Sequence, residues 1–160
     1  QGPSQGRRAR RPSRQGTQEV TGSCGHGSEE PQGTTVTGHV GAIEELALRS
    51  TFFRQVLFTS THAQLVLMCL QPGEDIGDEV HAEVDQFFRI ERGDASFVLD
   101  EKEAHLVHGG GVVVPAGTYH NVINVSKTAP LKLHTIYAPP NHPDGTLHKT
   151  EAEATEKAHT

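Results

Sequence analysis

Short apolar segments separated by turn-forming residues follow one another along the chain from about residue 36 to residue 137. The segment 63–70 is nearly continuous, as expected of a strand that is buried on both faces. The predicted strands are 53–59, 63–70, 79–84, 86–91, 96–100, 105–108, 111–115, 120–125 and 131–137. Gly, Pro and Asp lie between these segments, which recur roughly every eight to twelve residues. This pattern is typical of an all-β sandwich or barrel.

The two ends of the chain depart from this pattern. Residues 1–35 are rich in Gly, Pro and Arg and contain almost no large apolar side chain, so they cannot bury enough surface to offset the chain entropy. We expect a disordered leader there, not native to the protein, and one folded domain over 36–150. Residues 43–48 have helical spacing, and the polar residues 151–160 are compatible with a frayed helical tail.

The distribution of charge narrows the classes of function. The formal net charge is −6, but the first 34 residues carry five Arg and three Glu, so the remainder is strongly acidic. An acidic domain argues against a nucleic-acid partner, because phosphate binding requires a basic surface. Apolar runs never approach the roughly 18 residues of a membrane helix, so no membrane partner is expected. Two distant cysteines provide neither a disulfide framework nor a metal clip, which is compatible with a cytoplasmic protein.

Two spaced motifs carry most of the chemical information. The first is Gly73-x5-Glu79-x-His81-x4-Gln86-x6-Gly93, and the second is Gly109-x5-Pro115-x-Gly117-x2-His120-x3-Asn124. The second matches every fixed position of the second cupin motif. The first resembles the first cupin motif, but Glu79 stands where that motif has its first His, and Gln86 stands where it has Glu.

The chain therefore resembles the small single-domain bacterial cupins of the mannose-6-phosphate isomerase-like subgroup. The resemblance implies a cupin jelly-roll β-barrel, also called a double-stranded β-helix. It also implies a homodimer, with which the apolar segment 63–70 is consistent if both of its faces are buried.

Strand geometry explains why such residues would meet. Side chains alternate along a strand, so Glu79 and His81 share a face, while Gln86 and His120 lie on two further strands. A barrel brings these positions to one interior point, where buried polar groups require partners. Two imidazoles, one carboxylate and one amide oxygen suit Fe, Mn, Ni, Co or Zn. Glu83, two residues beyond His81, is a further candidate ligand.

The role of each of these residues has an alternative. His81 and His120 are metal ligands or core histidines with satisfied hydrogen bonds. Gln86 and Glu79 are ligands or hydrogen-bond partners of ligands. Glu79 is alternatively a general base next to a metal held by the other three residues.

Three functions remain open for this site. The first is a redox-neutral isomerase or lyase that acts on a sugar or sugar acid, with Glu79 or Tyr119 moving the proton. The second is an Fe(II) dioxygenase that uses two His and one carboxylate. The third is a non-catalytic small-molecule or metal-binding module. Arg89 and Lys132 are the only bases near the motifs, which argues against a tightly held phosphate group.

Overall fold

Two antiparallel β-sheets make up most of the described part of the chain. The computed structural model describes residues 38–158, with side chains up to residue 156, so the predicted leader 1–35 lies outside the described residues. The strands are β1 (Arg54–Thr59), β2 (Gln64–Leu70), β3 (Glu79–Val80), β4 (Asp85–Arg92), β5 (Ala95–Leu99), β6 (Lys102–Leu106), β7 (Gly111–Val114), β8 (Tyr119–Asn124), β9 (Leu131–Ala138) and β10 (Leu147–His148). The helices are α1 (Ile43–Arg49) and α2 (Glu151–Ala158).

The strand order is that of a two-sheet jelly roll. One sheet has the order β10-β1-β2-β9-β4-β7 and the other β3-β8-β5-β6. The rings of Phe88 on β4 and Phe97 on β5 meet edge to face across the sheets, with centroids 5.3 Å apart. The core consists of the inward side chains of both sheets. The predicted all-β fold is therefore confirmed, and neither described helix is long and apolar enough to cross a bilayer.

Strand β2 is buried on both faces within one chain. Val66 and Met68 belong to the core between the sheets, whereas Leu67 and Cys69 are buried outside that cluster. Helix α1 packs against β2, β4 and β9. Burial of the second face therefore requires no partner subunit and no longer supports the predicted homodimer, which stays a prediction for a mass measurement in solution.

Several predicted boundaries were wrong. The strand predicted over 79–84 ends at Val80, because β3 pairs with β8 at two positions only and the chain then turns. The strand predicted over 105–108 is β6, which starts at Lys102 because Asp100, at φ 51°, makes a tight turn after β5. Strand β10 was missed because two residues are too few for a recognisable pattern.

The C-terminal segment forms a regular helix. The hydroxyl oxygen of Thr150 accepts a hydrogen bond from the Glu153 amide at 3.3 Å, and the Glu153 carboxylate accepts one from the Lys149 amide at 2.7 Å. These reciprocal contacts at the start of α2 resemble a capping box. Ala154 packs against the core, so the helix is anchored on the domain.

Candidate metal centre

The structure brings the four predicted ligand residues together between the two sheets. Glu79 and His120 lie opposite each other on β3 and β8, His81 follows β3, and Gln86 is on β4. Glu79 Oε2 lies 3.1 Å from His81 Nε2 and 3.8 Å from His120 Nε2. His120 Nε2 lies 3.1 Å from Gln86 Oε1. Four potential donor atoms therefore converge on one point.

These distances suit a bound transition metal. With metal–ligand bonds of about 2.1 Å, adjacent donors lie about 3.0 Å apart at right angles and about 3.4 Å apart in a tetrahedron. Two of the three distances fall in this range, and the distance from Glu79 to His120 is slightly longer. The donor set therefore fits a divalent ion such as Fe, Mn, Ni, Co or Zn.

The hydrogen bonds around His120 provide an independent reason for a cation. Its Nδ1 lies 3.1 Å from the Thr118 carbonyl oxygen, which can only accept, so Nδ1 carries a proton, and a ring without a second proton has the Nε2 lone pair free. Gln86 Nε2 donates to Thr135 Oγ1 at 2.9 Å, which directs Gln86 Oε1 at His120. Two acceptors then face each other at 3.1 Å. A cation between them, either a metal ion or a second proton on the ring, removes the repulsion between these two acceptors.

Two aromatic rings enclose the cluster. Tyr137 lies edge-on to His81, with ring centroids 5.8 Å apart, and Phe88 lies 6.0 Å from the ring of His120. Burial and the nearby charge of Glu79 raise the pKa of Tyr137, so its phenol keeps its proton. These rings exclude water from the inner side of the site, which strengthens electrostatic interactions there.

Arg54 is a site residue that the sequence did not predict. It is 6% exposed, and its Nη2 lies 3.7 Å from Glu79 Oε1. Burial acts to raise the pKa of Glu79, but the hydrogen bond with His81 and the charge of Arg54 outweigh it, so this pKa lies below its usual value. Glu79 is therefore ionised at neutral pH, as a metal ligand must be.

The expectation that Arg89 and Lys132 are the only nearby bases was wrong. Arg89 pairs with Glu91, and Lys132 donates to the Ser50 carbonyl oxygen. Arg54 reaches the site because it begins β1 and shares the inward face of that strand with Val56. The sequence signal that could have identified Arg54 as a site residue is a charged side chain at an inward position of an apolar strand.

A cavity of about 930 Å³ adjoins the cluster, and Arg54, Glu79 and His142 lie on its wall. Gln64, which is fully buried, holds the loop that carries His142: its Nε2 donates to the His142 carbonyl oxygen at 2.8 Å, and its Oε1 accepts from the His142 amide at 3.0 Å. Burial and the charge of Arg54 lower the pKa of His142 to about 4. His142 is therefore a neutral imidazole on the wall of the cavity.

Two residues named from the sequence do not join the cluster. Glu83 is exposed in the turn after β3, because the strand alternation that would have aligned it with His81 stops at Val80. Tyr119 is paired with Val80, which is 56% exposed, and therefore occupies the face of β8 opposite to His120. A hydrogen bond with Asp78 raises the pKa of Tyr119.

Comparisons with known proteins identify the family. The cupin domain family matches residues 66–137. The uncharacterised protein YrkC of Bacillus subtilis (strain 168) is 48% identical over 118 residues, covering 70% of this chain and 63% of YrkC. The uncharacterised protein L612 of Acanthamoeba polyphaga mimivirus is 45% identical over 113 residues, covering 68% of this chain and 70% of L612.

A solved structure shows the same fold. The crystal structure of BH2720 from Bacillus halodurans is 39% identical in sequence, with a TM-score of 0.72, and the match covers 82% of this chain and 97% of that one. This chain belongs to the cupin superfamily, and its jelly roll is the cupin fold. The chain spans 63% of the length of YrkC. The mannose-6-phosphate isomerase-like subgroup stays a prediction.

Proposed function

We propose that this cupin is a metal-dependent enzyme that catalyses a redox-neutral isomerisation or elimination on a small sugar or sugar acid. The observation that carries the proposal is the position of Glu79, which belongs both to the donor cluster and to the wall of the cavity. A ligand in the cavity therefore lies next to the proposed metal centre. The bound metal would polarise a carbonyl or hydroxyl group of that ligand.

Of the two roles predicted for Glu79, we favour that of ligand. A carboxylate with a lowered pKa that faces two imidazoles is ionised and well placed as a metal donor. With His81, Gln86 and His120 it makes four residues that would hold a metal ion beside the cavity. Gln86 is a fourth donor beyond the two-His, one-carboxylate set of the Fe(II) dioxygenase, so the redox-neutral reaction is the better match.

We assign proton acceptance to His142. Its ring lines the cavity beside Arg54 and Glu79, and its Nε2 is buried without a hydrogen-bond partner in the described part of the chain. The imidazole is neutral above pH 4, so its lone pair is free at neutral pH, and it could accept a proton from a carbon that the metal-polarised carbonyl has made acidic enough for a weak base. Tyr137 stands edge-on to this ring at 5.0 Å between centroids and fixes its orientation.

Deuterium exchange tests this function directly. Metal-loaded protein is incubated in D₂O with a panel of keto and hydroxy sugar acids, and NMR records deuterium at the carbon next to the carbonyl. We expect exchange in the wild type, loss of exchange but retention of metal in His142→Phe, and loss of both in His120→Ala. Tyr119→Phe is the matched control and should exchange at the wild-type rate.

Two results would replace the proposal by another function. Oxygen consumption by the Fe(II)-loaded protein, with no deuterium incorporation, would indicate the dioxygenase. A metal-loaded protein that is inert in both assays across the panel would indicate the non-catalytic binding module.

A further inference from the structure

Arg54 has an incomplete set of partners for a buried guanidinium. Its Nε is buried without a hydrogen-bond partner among residues 38–156. The Glu79 carboxylate is 3.7 Å from Nη2, longer than a hydrogen bond. Arg does not lose its proton, so the charge persists, and a buried N–H without an acceptor is unfavourable. The side chain also has a hydrogen bond with Tyr137 and a contact with the Phe53 ring, 5.6 Å from Arg54 Cζ to the centroid, but neither provides an acceptor for Nε.

The charges immediately around the proposed metal favour an anionic ligand. A divalent ion brings two positive charges, Arg54 brings one, and Glu79 is the negative group among the four donors. His81, Gln86 and His120 bind as neutral groups. Arg54 and the metal with its four donors would therefore carry a net positive charge, which the acidic residues elsewhere on the cavity wall offset only from a distance. Unpaired charge is costly where water is excluded, so a ligand that carries one negative charge is favoured there.

The rest of the cavity wall limits what the remainder of that ligand can be. Asp78, Asp144 and Glu151 also line the cavity. Burial and the charges of Glu74 and Asp75 raise the pKa of Glu151, which shows how concentrated the negative charge is on this side. Carboxylates accept hydrogen bonds from hydroxyl groups and repel a second anionic group. A ligand with one negative end would offset the positive charge near Arg54 and the metal, and its hydroxyl groups would donate hydrogen bonds to the acidic wall.

We propose that Arg54 anchors the carboxylate of a small polyhydroxy acid, whose hydroxyl groups face the acidic wall of the cavity. This inference rests on the proposed function, because the metal supplies the positive charge that the ligand offsets. The planar guanidinium matches a carboxylate with two parallel hydrogen bonds, which a Lys ammonium does not. A phosphate dianion is disfavoured, because among the described residues that line the cavity Arg54 is the single Lys or Arg that offsets the acidic wall.

Calorimetric titration of the Zn²⁺-loaded protein tests the ligand class. The probes are D-gluconate, D-glucitol, which is the uncharged polyol of the same chain length, and D-glucose 6-phosphate. We expect gluconate to bind at least tenfold more tightly than glucitol, and its binding to weaken as salt is added. Equal binding of gluconate and glucitol would refute the preference for an anionic ligand. Tighter binding of D-glucose 6-phosphate would refute the preference for a carboxylate over a phosphate.

Substitutions identify the anchoring residue. Arg54→Met should weaken gluconate binding at least tenfold, and Arg54→Lys should weaken it less, because the charge remains while the paired geometry is lost. Arg49→Met is the matched control, since Arg49 is exposed on α1 and pairs with Glu45 at 3.0 Å. An effect of less than twofold in both Arg54 variants would refute the role of Arg54. If the variants do not fold, the selectivity and salt dependence of the wild type decide.

Zinc retention after dialysis, measured on the same samples, separates the two proposals. A wild type that holds no zinc refutes the proposed function and the charge argument with it. A wild type that holds zinc but does not distinguish gluconate from glucitol refutes the anchor alone.

Discussion

Two buried clusters of His and Glu lie on opposite sides of the six-stranded sheet, and they are satisfied in different ways. The outer cluster is Arg89, Glu91 and His134. Both Glu91 oxygens accept from Arg89 Nη1, at 2.7 and 2.6 Å, and Oε1 also lies 2.8 Å from His134 Nδ1. The inner cluster is Glu79, His81, Gln86 and His120, in which two acceptors face each other.

This contrast teaches how to distinguish a metal site from a structural ion network. If only the distances between potential ligand atoms are considered, two groups of described residues could hold a metal ion. One belongs to the inner cluster, and the other consists of Glu44, Glu91 and His108. Arg89 already occupies both oxygens of Glu91, so that carboxylate has no need of a cation. The inner cluster lacks such a partner, and Arg54 stays 3.7 Å from Glu79. Counting donors against acceptors therefore selects one site of the two.

The largest expected effect is loss of metal when an inner imidazole is removed. His81→Ala and His120→Ala should each lower the affinity for Zn²⁺ by more than about 100-fold, because loss of a direct ligand exceeds the effect of losing its supporting partner. Competition with a chromophoric chelator measures the affinity. His134→Ala is the matched control from the outer cluster and should retain the metal. A similar loss in His134→Ala would place the site on the other face of the sheet.

Removing the outer carboxylate should affect stability and not metal binding. Glu91→Gln leaves the positive Arg89 without its partner, and we expect the free energy of unfolding to fall by about 2 kcal/mol, below the value for fully buried pairs because Arg89 is partly exposed. Denaturant unfolding of the metal-free protein gives the value, and chelator competition gives the affinity. Weakened zinc binding in this variant would contradict the assignment of metal binding to the inner cluster and of a structural role to the outer one.

The loop at the inner site should make the metal-free protein sensitive to acid. The pKa of His142 falls from its usual value near 6.5 to about 4 in the folded state, mainly through burial. Between these values the unfolded chain binds a proton that the native chain does not, so stability decreases as pH falls from 6.5 to 4. We expect His142→Phe to remove about 2 kcal/mol of this decrease. Denaturant unfolding of both proteins at several pH values between 4 and 6.5 measures this difference. The same dependence of the free energy of unfolding on pH in the two proteins would contradict the prediction.

A smaller effect should follow from removing the hydroxyl group that orients Gln86. Thr135→Val deletes the acceptor of Gln86 Nε2, so we expect about tenfold weaker zinc binding and a loss of about 1 kcal/mol of stability. Thr59→Val is a matched control, because Gln64 Nε2 donates to Thr59 Oγ1 at the same 2.9 Å on another strand. Its stability should fall by a similar amount while zinc binding stays unchanged. Equal zinc affinity in the two variants would show that Gln86 is not a ligand.

The sequence predicted those parts of the fold and site that depend on local spacing. His120 follows the turn at Gly117, and its strand is long enough to show alternation, so both strand and position emerged from the motif. Arg54 lies well outside the motifs and comes near Glu79 through tertiary packing. Such long-range proximity depends on strand order, which a single sequence does not specify. His142 likewise reaches the cavity through the contact of its loop with Gln64, 78 positions away.

The smallest expected effect concerns Tyr119, which the sequence offered as a proton-transfer residue beside Glu79. Alternation along β8 places it on the face opposite to His120, and its contact with Asp78 raises its pKa. A phenol with a raised pKa is ionised to a smaller extent at neutral pH, so less phenolate is present to accept a proton. Tyr119→Phe should therefore change neither zinc affinity nor deuterium exchange by more than about twofold. The same measurements on His142→Phe provide the reference for a full effect, since deuterium exchange should be lost in that variant. Loss of exchange in Tyr119→Phe with His142→Phe active would return proton transfer to the residue that the motif suggested, acting from beside Asp78 on the cavity wall.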